Sequence, residues 1–260
     1  MRMAGMVLLV SLGFLTSAPV DSQQTATSAQ RDPTAVALLQ YSVRAMGGNV
    51  PSDSVATGNV TIVAGSETST GTIRILTRGT SQTSEQILLP KSSATVTYSG
   101  GLASQAVNSY ITSLVLERAA TSQSVCFPLP FLAGVLANSD VSLQYVALET
   151  LNQQSVQHLR LQNSFASQPN LQRLAEFAVF DLWLDASTAL PLRLSFIRRD
   201  GGGSAPRIPV DMYFMVYKTV SGLAYPSQFS ISVNGTPWAN VTILSVTFNT
   251  GLTDSSFSVQ

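Results

Sequence analysis

The chain has 260 residues, of which only 11% are charged and 45% hydrophobic, with 14 basic side chains against 14 acidic ones. That balance excludes a binder of nucleic acid or of an anionic membrane surface, because both need clustered Lys and Arg. Recurrent apolar spacing excludes a disordered chain. Cys126 is the only Cys, so no internal disulfide forms and core packing must supply the stability.

In chain order, Met1-Arg2 gives a minimal positive end and Met6–Leu15 a ten-residue apolar run. A membrane-spanning helix needs about 20 such residues, so 1–22 reads as a secretory leader, with an uncleaved anchor as the alternative. No Cys follows the run, so the chain does not read as a lipoprotein itself. Residues 23–32 form a polar spacer, expected to be disordered, and 33–260 are expected to make one domain. Asp32-Pro33 opens a predicted helix, with Asp as cap and Pro in the first turn. Ala35, Leu38, Leu39, Val43 and Met46 give it an apolar stripe, and Gly47-Gly48 ends it.

Strand signals then dominate. Ser54–Val63, Gly71–Arg78, Gln82–Leu89 and Ala94–Tyr98 are short, rich in Thr, Val and Ile, and bounded by turn residues. The spacing of Val107, Ile111, Leu114 and Val115 predicts a helix over Ser104–Ala119. Phe127–Ala137 is strongly apolar; its two prolines are expected to break the first part and leave a short helix. Seven more strands follow: Ser142–Leu148, Ser155–Asn163, Phe177–Asp185, Leu190–Arg199, Pro209–Thr219, Ser227–Val233 and Ala239–Asn249. Asp185-Ala-Ser-Thr and Asn234-Gly235 are hairpin turns, and Gly201-Gly202-Gly203 is a loop tip.

Two strands look apolar on both faces. Phe177, Val179 and Trp183 oppose Phe180, Leu182 and Leu184, while Val210, Met212, Phe214 and Val216 oppose Tyr213, Met215 and Tyr217. A sheet wet on one side alternates apolar with polar, so here either both faces are covered or one lines a greasy hollow.

No catalytic constellation emerges. His158, the only His, falls on the more polar face of its strand and reads as a surface or rim residue. The chain has no Gly-x-Ser-x-Gly elbow, and one His with one Cys makes no ordinary zinc site. Cys126, in apolar surroundings, reads as buried and inert. Asp181 and Asp185 would stand about 13 Å apart along a strand, too far for glycoside chemistry. The expectation is therefore no catalytic residue, no metal, no cofactor and no enzyme.

Three segments of the second half carry a resemblance. Leu182-Trp-Leu-Asp-Ala-Ser-Thr-Ala-Leu-Pro-Leu-Arg193 resembles the Trp/Asp, Thr and Leu-Pro hairpin of outer-membrane lipoprotein-sorting proteins, the LolA/LolB-like superfamily. Tyr217-Lys-Thr-Val-Ser-Gly-Leu-Ala-Tyr-Pro226 resembles that family's Tyr, Gly and Pro strand and turn. Val246-Thr-Phe-Asn-Thr-Gly-Leu-Thr-Asp-Ser-Ser-Phe257 resembles its closing strand. The resemblance implies a mostly β (α+β) fold: a strongly curved antiparallel sheet of about 11 strands, an unclosed barrel, with helices covering its concave face. It further implies an exported periplasmic protein that binds or carries a lipid, or the acyl chain of a lipoprotein, without catalysis. Envelope proteins are further possible partners, and no nucleic acid or transmembrane segment of the mature chain is expected. The candidate cavity contacts are Phe131, Leu132, Leu136, Trp183, Phe196, Met212 and Phe214, with plain core packing as the competing reading for each. The alternative function is an envelope sensor or protein-interaction module whose hollow is filled by its own side chains.

Overall fold

The computed structural model describes residues 29–116, 125–199 and 206–259. The expected leader, most of the spacer and the Gly201–Gly203 tip lie outside them. Helix α1 spans Pro33–Ala45, and the Asp32 carboxylate accepts from the Thr34 and Ala35 N–H groups at 2.7 and 3.3 Å. Ala35, Leu39 and Ser42 are its buried side.

Thirteen strands follow, each paired antiparallel with its neighbours in one sheet: β1 Asp53–Ala64, β2 Glu67–Arg78, β3 Gln82–Leu89, β4 Ser92–Ser99, β5 Leu102–Val107, β6 Tyr110–Ser113, β7 Val141–Leu151, β8 Gln154–Asn163, β9 Val179–Asp185, β10 Pro191–Arg198, β11 Ile208–Val220, β12 Leu223–Val233 and β13 Thr236–Phe248. The order is β6-β5-β4-β3-β2-β1-β13-β12-β11-β10-β9-β8-β7, so β6 and β7 are edges and the sheet does not close into a barrel. Part of the β7 edge is covered by the chain before α1. There Asp32 N–H donates to the Leu143 carbonyl at 2.8 Å, and Leu143 N–H to that of Gln30 at 3.0 Å.

The predicted helix over Ser104–Ala119 is wrong over residues 104–115: β5 and β6 form a hairpin there, with Val107 opposite Tyr110 and Asn108 in the left-handed region at φ 54°. The helical spacing was carried by few residues. Ser and Thr, which lose out inside helices, fill the positions between them. Asn tolerates the positive φ that the turn demands.

Between the two edges the chain crosses the concave side as helix α2, Pro128–Ala137. Its prolines do not break it. Both fall in the first turn, where backbone N–H groups have no helical partner anyway. Apolar nearly all round, α2 is buried through Pro128, Leu129, Phe131, Leu132 and Val135. The Arg31 guanidinium donates to the Leu136 and Val135 carbonyls at 3.0 and 3.3 Å, satisfying the helix end. One core joins α1, α2 and the concave side chains of nearly every long strand, from Val60 and Ile75 to Leu182, Met212, Phe229 and Val241.

Turn chemistry and bulges set the register. Asn234 and Gly235 both have positive φ, 52° and 71°, as the two-residue hairpin between β12 and β13 requires. β1 shifts register against β13 at Thr57/Gly58. A Cβ on Gly58 would stand 2.1 Å from the Thr242 carbonyl oxygen. Gly58→Val should therefore lower stability by about 1–3 kcal/mol, read from urea unfolding, because backbone rather than a side chain must move. In β11 the register shifts at Phe214/Val216 and again at Val216/Tyr217. Met215 and Val216 are consequently exposed, and Tyr217 joins the core packing against its expected face. Its hydroxyl donates to the Pro191 carbonyl at 2.9 Å, and burial pushes its pKa well up.

The second face of β9 is covered by neighbouring strands and faces no hollow. His158, Trp183, Arg193 and Tyr213 stand opposite one another across β8, β9, β10 and β11. His158 stacks on Trp183 with centroids 4.3 Å apart, and the Arg193 guanidinium lies 4.4 Å from the Trp183 centroid and 5.5 Å from that of Tyr213. Carboxylates complete the row. Glu149 and Asp181 lie 2.8 and 3.0 Å from Nδ1 and Nε2 of His158, and Trp183 Nε1–H donates to Glu149 at 3.0 Å. Arg160 grips Asp181 through two bonds, and Arg193 grips Asp211. His158 is thus on the polar face, as expected, but it is buried at 7% exposure instead of lying at the surface.

Candidate functional site

Two cavities, of about 340 and 350 Å³, open beside α2. Both are bordered by Thr80, Ser81, Phe131, Asn138 and Asn163, so they meet at the ring of Phe131. The first runs toward Phe127 and the β4–β5 turn, and the second toward Val141, Leu161 and Phe180. The sheet brings α2 close here: a Cβ on Gly134 would lie 3.1 Å from the Thr80 side chain. Phe131, Phe180 and Phe196 form an aromatic chain, with centroids 5.2 Å apart for the first pair and 5.5 Å for the second. That chain leads to a smaller cavity of about 130 Å³, bordered by Phe196, Met212 and Cys126.

The sequence-derived contacts divide between these surroundings. Phe131 borders both large cavities, and Phe196 and Met212 border the small one. Leu132 and Phe214 are core residues at 0% and 3% exposure, and Leu136 packs against them from α2. Trp183 is on the convex side in the stacked row, so it stands apart from the other six. The polar border was not foreseen. Thr80, Ser81, Asn138 and Asn163 lie in or beside turns, where no periodic signal marks them.

Cys126 is buried and free. Its thiol donates to Glu85 at 3.3 Å, and burial together with the nearby carboxylate pushes its pKa well up, which keeps it protonated. Among the described residues, no group of three or more His, Cys, Asp or Glu is placed to hold a metal ion. No helix among them is long and apolar enough to cross a membrane.

No protein-family model and no curated protein sequence matches the chain. Solved structures do. An outer membrane lipoprotein-sorting protein domain from Vibrio parahaemolyticus superposes with a TM-score of 0.56 at 14% identity, covering 86% of this chain and 96% of that one. A LolA superfamily protein from Nitrosomonas europaea gives 0.54 at 16% identity, covering 86% and 97%. A DUF1329 family protein from Desulfovibrio piger gives 0.54 at 13% identity, with the same coverage. The unclosed antiparallel sheet, the helix laid across its hollow and these superpositions together show that the chain has a LolA/LolB-like fold.

Proposed function

We propose that the protein is an exported, non-enzymatic carrier that shelters a lipid or a lipoprotein acyl chain in the hollow beside α2. The observation that carries this reading is the pair of cavities meeting at Phe131, each of about 340–350 Å³. Small-molecule sites run from about 300 to 1,000 Å³ and are mostly apolar with a few polar groups. An acyl chain seated along Phe131 and Phe180 would be covered on one side by α2 and on the other by the sheet. The similarity in fold to a lipoprotein-sorting domain adds support. An exported location draws on the leader-like apolar run Met6–Leu15.

A second reading, a sensor or interaction module with a self-filled hollow, draws on the near-complete burial of Leu132, Met212 and Phe214. One experiment separates the two. Protein purified without detergent is expected to release lipid on organic extraction and to take up a fluorescent fatty acid. Phe131→Asp should weaken that uptake at least about tenfold, since an ionised carboxylate beside the chain stays desolvated and unpaired. A clean protein that ignores the probe would leave only the second reading.

A further inference from the structure

The cavities differ in the charge of the residues at their borders. The two large cavities are bordered by hydroxyl, amide, aromatic and aliphatic groups, and among the described residues none at these borders carries a charge. The smaller cavity, by contrast, is bordered by Glu85 and Arg198. Asp140, next to the bordering Val141 along the chain, is already engaged: it accepts from the Ser167 N–H and hydroxyl at 2.9 and 2.6 Å.

Two amides at the shared border are oriented by their own turns. The Asn138 Oδ1 accepts from Asp140 N–H at 2.9 Å and the Asn163 Oδ1 from Phe165 N–H at 3.0 Å. Because a backbone N–H fixes which atom is oxygen, each Nδ2 is left as a donor. No protein group among the described residues takes either one up. Phe131, Phe127 and Phe165 supply apolar surface around them.

We propose, building on the carrier reading, that this mouth takes the uncharged, oxygen-rich end of a neutral glycerolipid. Asn138 and Asn163 donate to its ester or sugar oxygens while the acyl chains enter past Phe131. A phosphate would exchange its hydration for a border with no cation among its described residues, whereas neutral oxygens find donors already in place. The expected preference is roughly tenfold, about 1.4 kcal/mol shared between the two hydrogen bonds.

The test is displacement of the fluorescent fatty acid from the full chain by two lipids with identical acyl chains, a monoglycosyl diacylglycerol and phosphatidylglycerol. The neutral lipid is expected to compete about tenfold better. Gln168→Lys, a change at an exposed border position, should shift the ratio toward phosphatidylglycerol. Asn163→Asp keeps the acceptor for Phe165 N–H but removes the donor, and it should weaken the glycosyl lipid several-fold, with folding confirmed by circular dichroism. Equal competition by the two lipids, or a ratio that Gln168→Lys does not move, overturns the head-group assignment and leaves the carrier reading standing. A protein that never takes up the fatty acid overturns both.

Discussion

Acidifying the protein from about pH 5 toward pH 1 is expected to remove about 2.5 kcal/mol of stability through Asp185 alone. This carboxylate opens the β9–β10 hairpin at 5% exposure. One oxygen accepts from the Ser187 N–H and hydroxyl at 2.9 and 2.6 Å and from those of Thr188 at 2.6 and 2.9 Å, and the other accepts from Gln154. Burial by itself would raise its pKa, but these bonds outweigh it and hold the group down to about 2. A folded-state value below the unfolded one means that the stabilisation is full above the unfolded pKa and fades as pH falls through the folded value. Asp53 acts in the same direction. Burial opposes its ionisation, but bonds from Thr250, Gly251 and Leu252 lower its pKa and tie β1 to the closing segment. Asp185→Ala should cost about 2–4 kcal/mol at neutral pH, because several donors lose their partner at once. Urea unfolding of both proteins across the pH range checks it. The gap should narrow as acid protonates the wild-type carboxyl, and a gap that stayed constant would contradict the assignment.

Trp183→Ala is expected to lower stability by about 3–5 kcal/mol, as for other buried large aromatics. The truncation leaves His158 and Arg193 without the ring they stack on, and Glu149 without the indole donor. That indole N–H, with His158 next, is what holds the Glu149 carboxyl below its ordinary range. Trp183→Phe keeps most of the stacking surface and should cost only about 1–2 kcal/mol, the value of the lost hydrogen bond to a charged acceptor. Fatty-acid uptake by the Phe variant should match that of the wild type, since the ring is separated from the hollow by the sheet. Thermal or urea melts give the first quantity and probe titration the second. A Phe variant that folds well but fails to bind would return Trp183 to the cavity.

The same residue shows where reading the sequence stops. Phe180, Leu182 and Leu184 belong to the core, and alternation alone assigned them to one face. Alternation also put Trp183 on the other face, correctly. What covers that face depends on which residues of β8 and β10 come opposite, and register between strands is a tertiary property. Tyr217 makes the complementary case. Alternation put it opposite Met212, but the shifts near Val216 turned it into the core, and a bulge leaves no periodic mark. The three segments behind the family resemblance are legible for a simpler reason: Asp185, Ser221-Gly222 and Asn249 act on residues within a short reach or through φ angles that few residues accept.

By itself, then, the sequence determined that this is a β-rich chain with a capped first helix, where most of its strands and turns lie, and that it offers no visible catalytic constellation. Local propensity, two-residue alternation and turn chemistry all act over a few residues, so they survive in a linear reading. Only the tertiary structure decided that the 104–113 segment pairs as an edge hairpin, that α2 crosses between the two open edges, and that uncharged turn residues border the hollow. Each of these depends on partners far away in sequence, and loop closure and register rather than local preference choose among them.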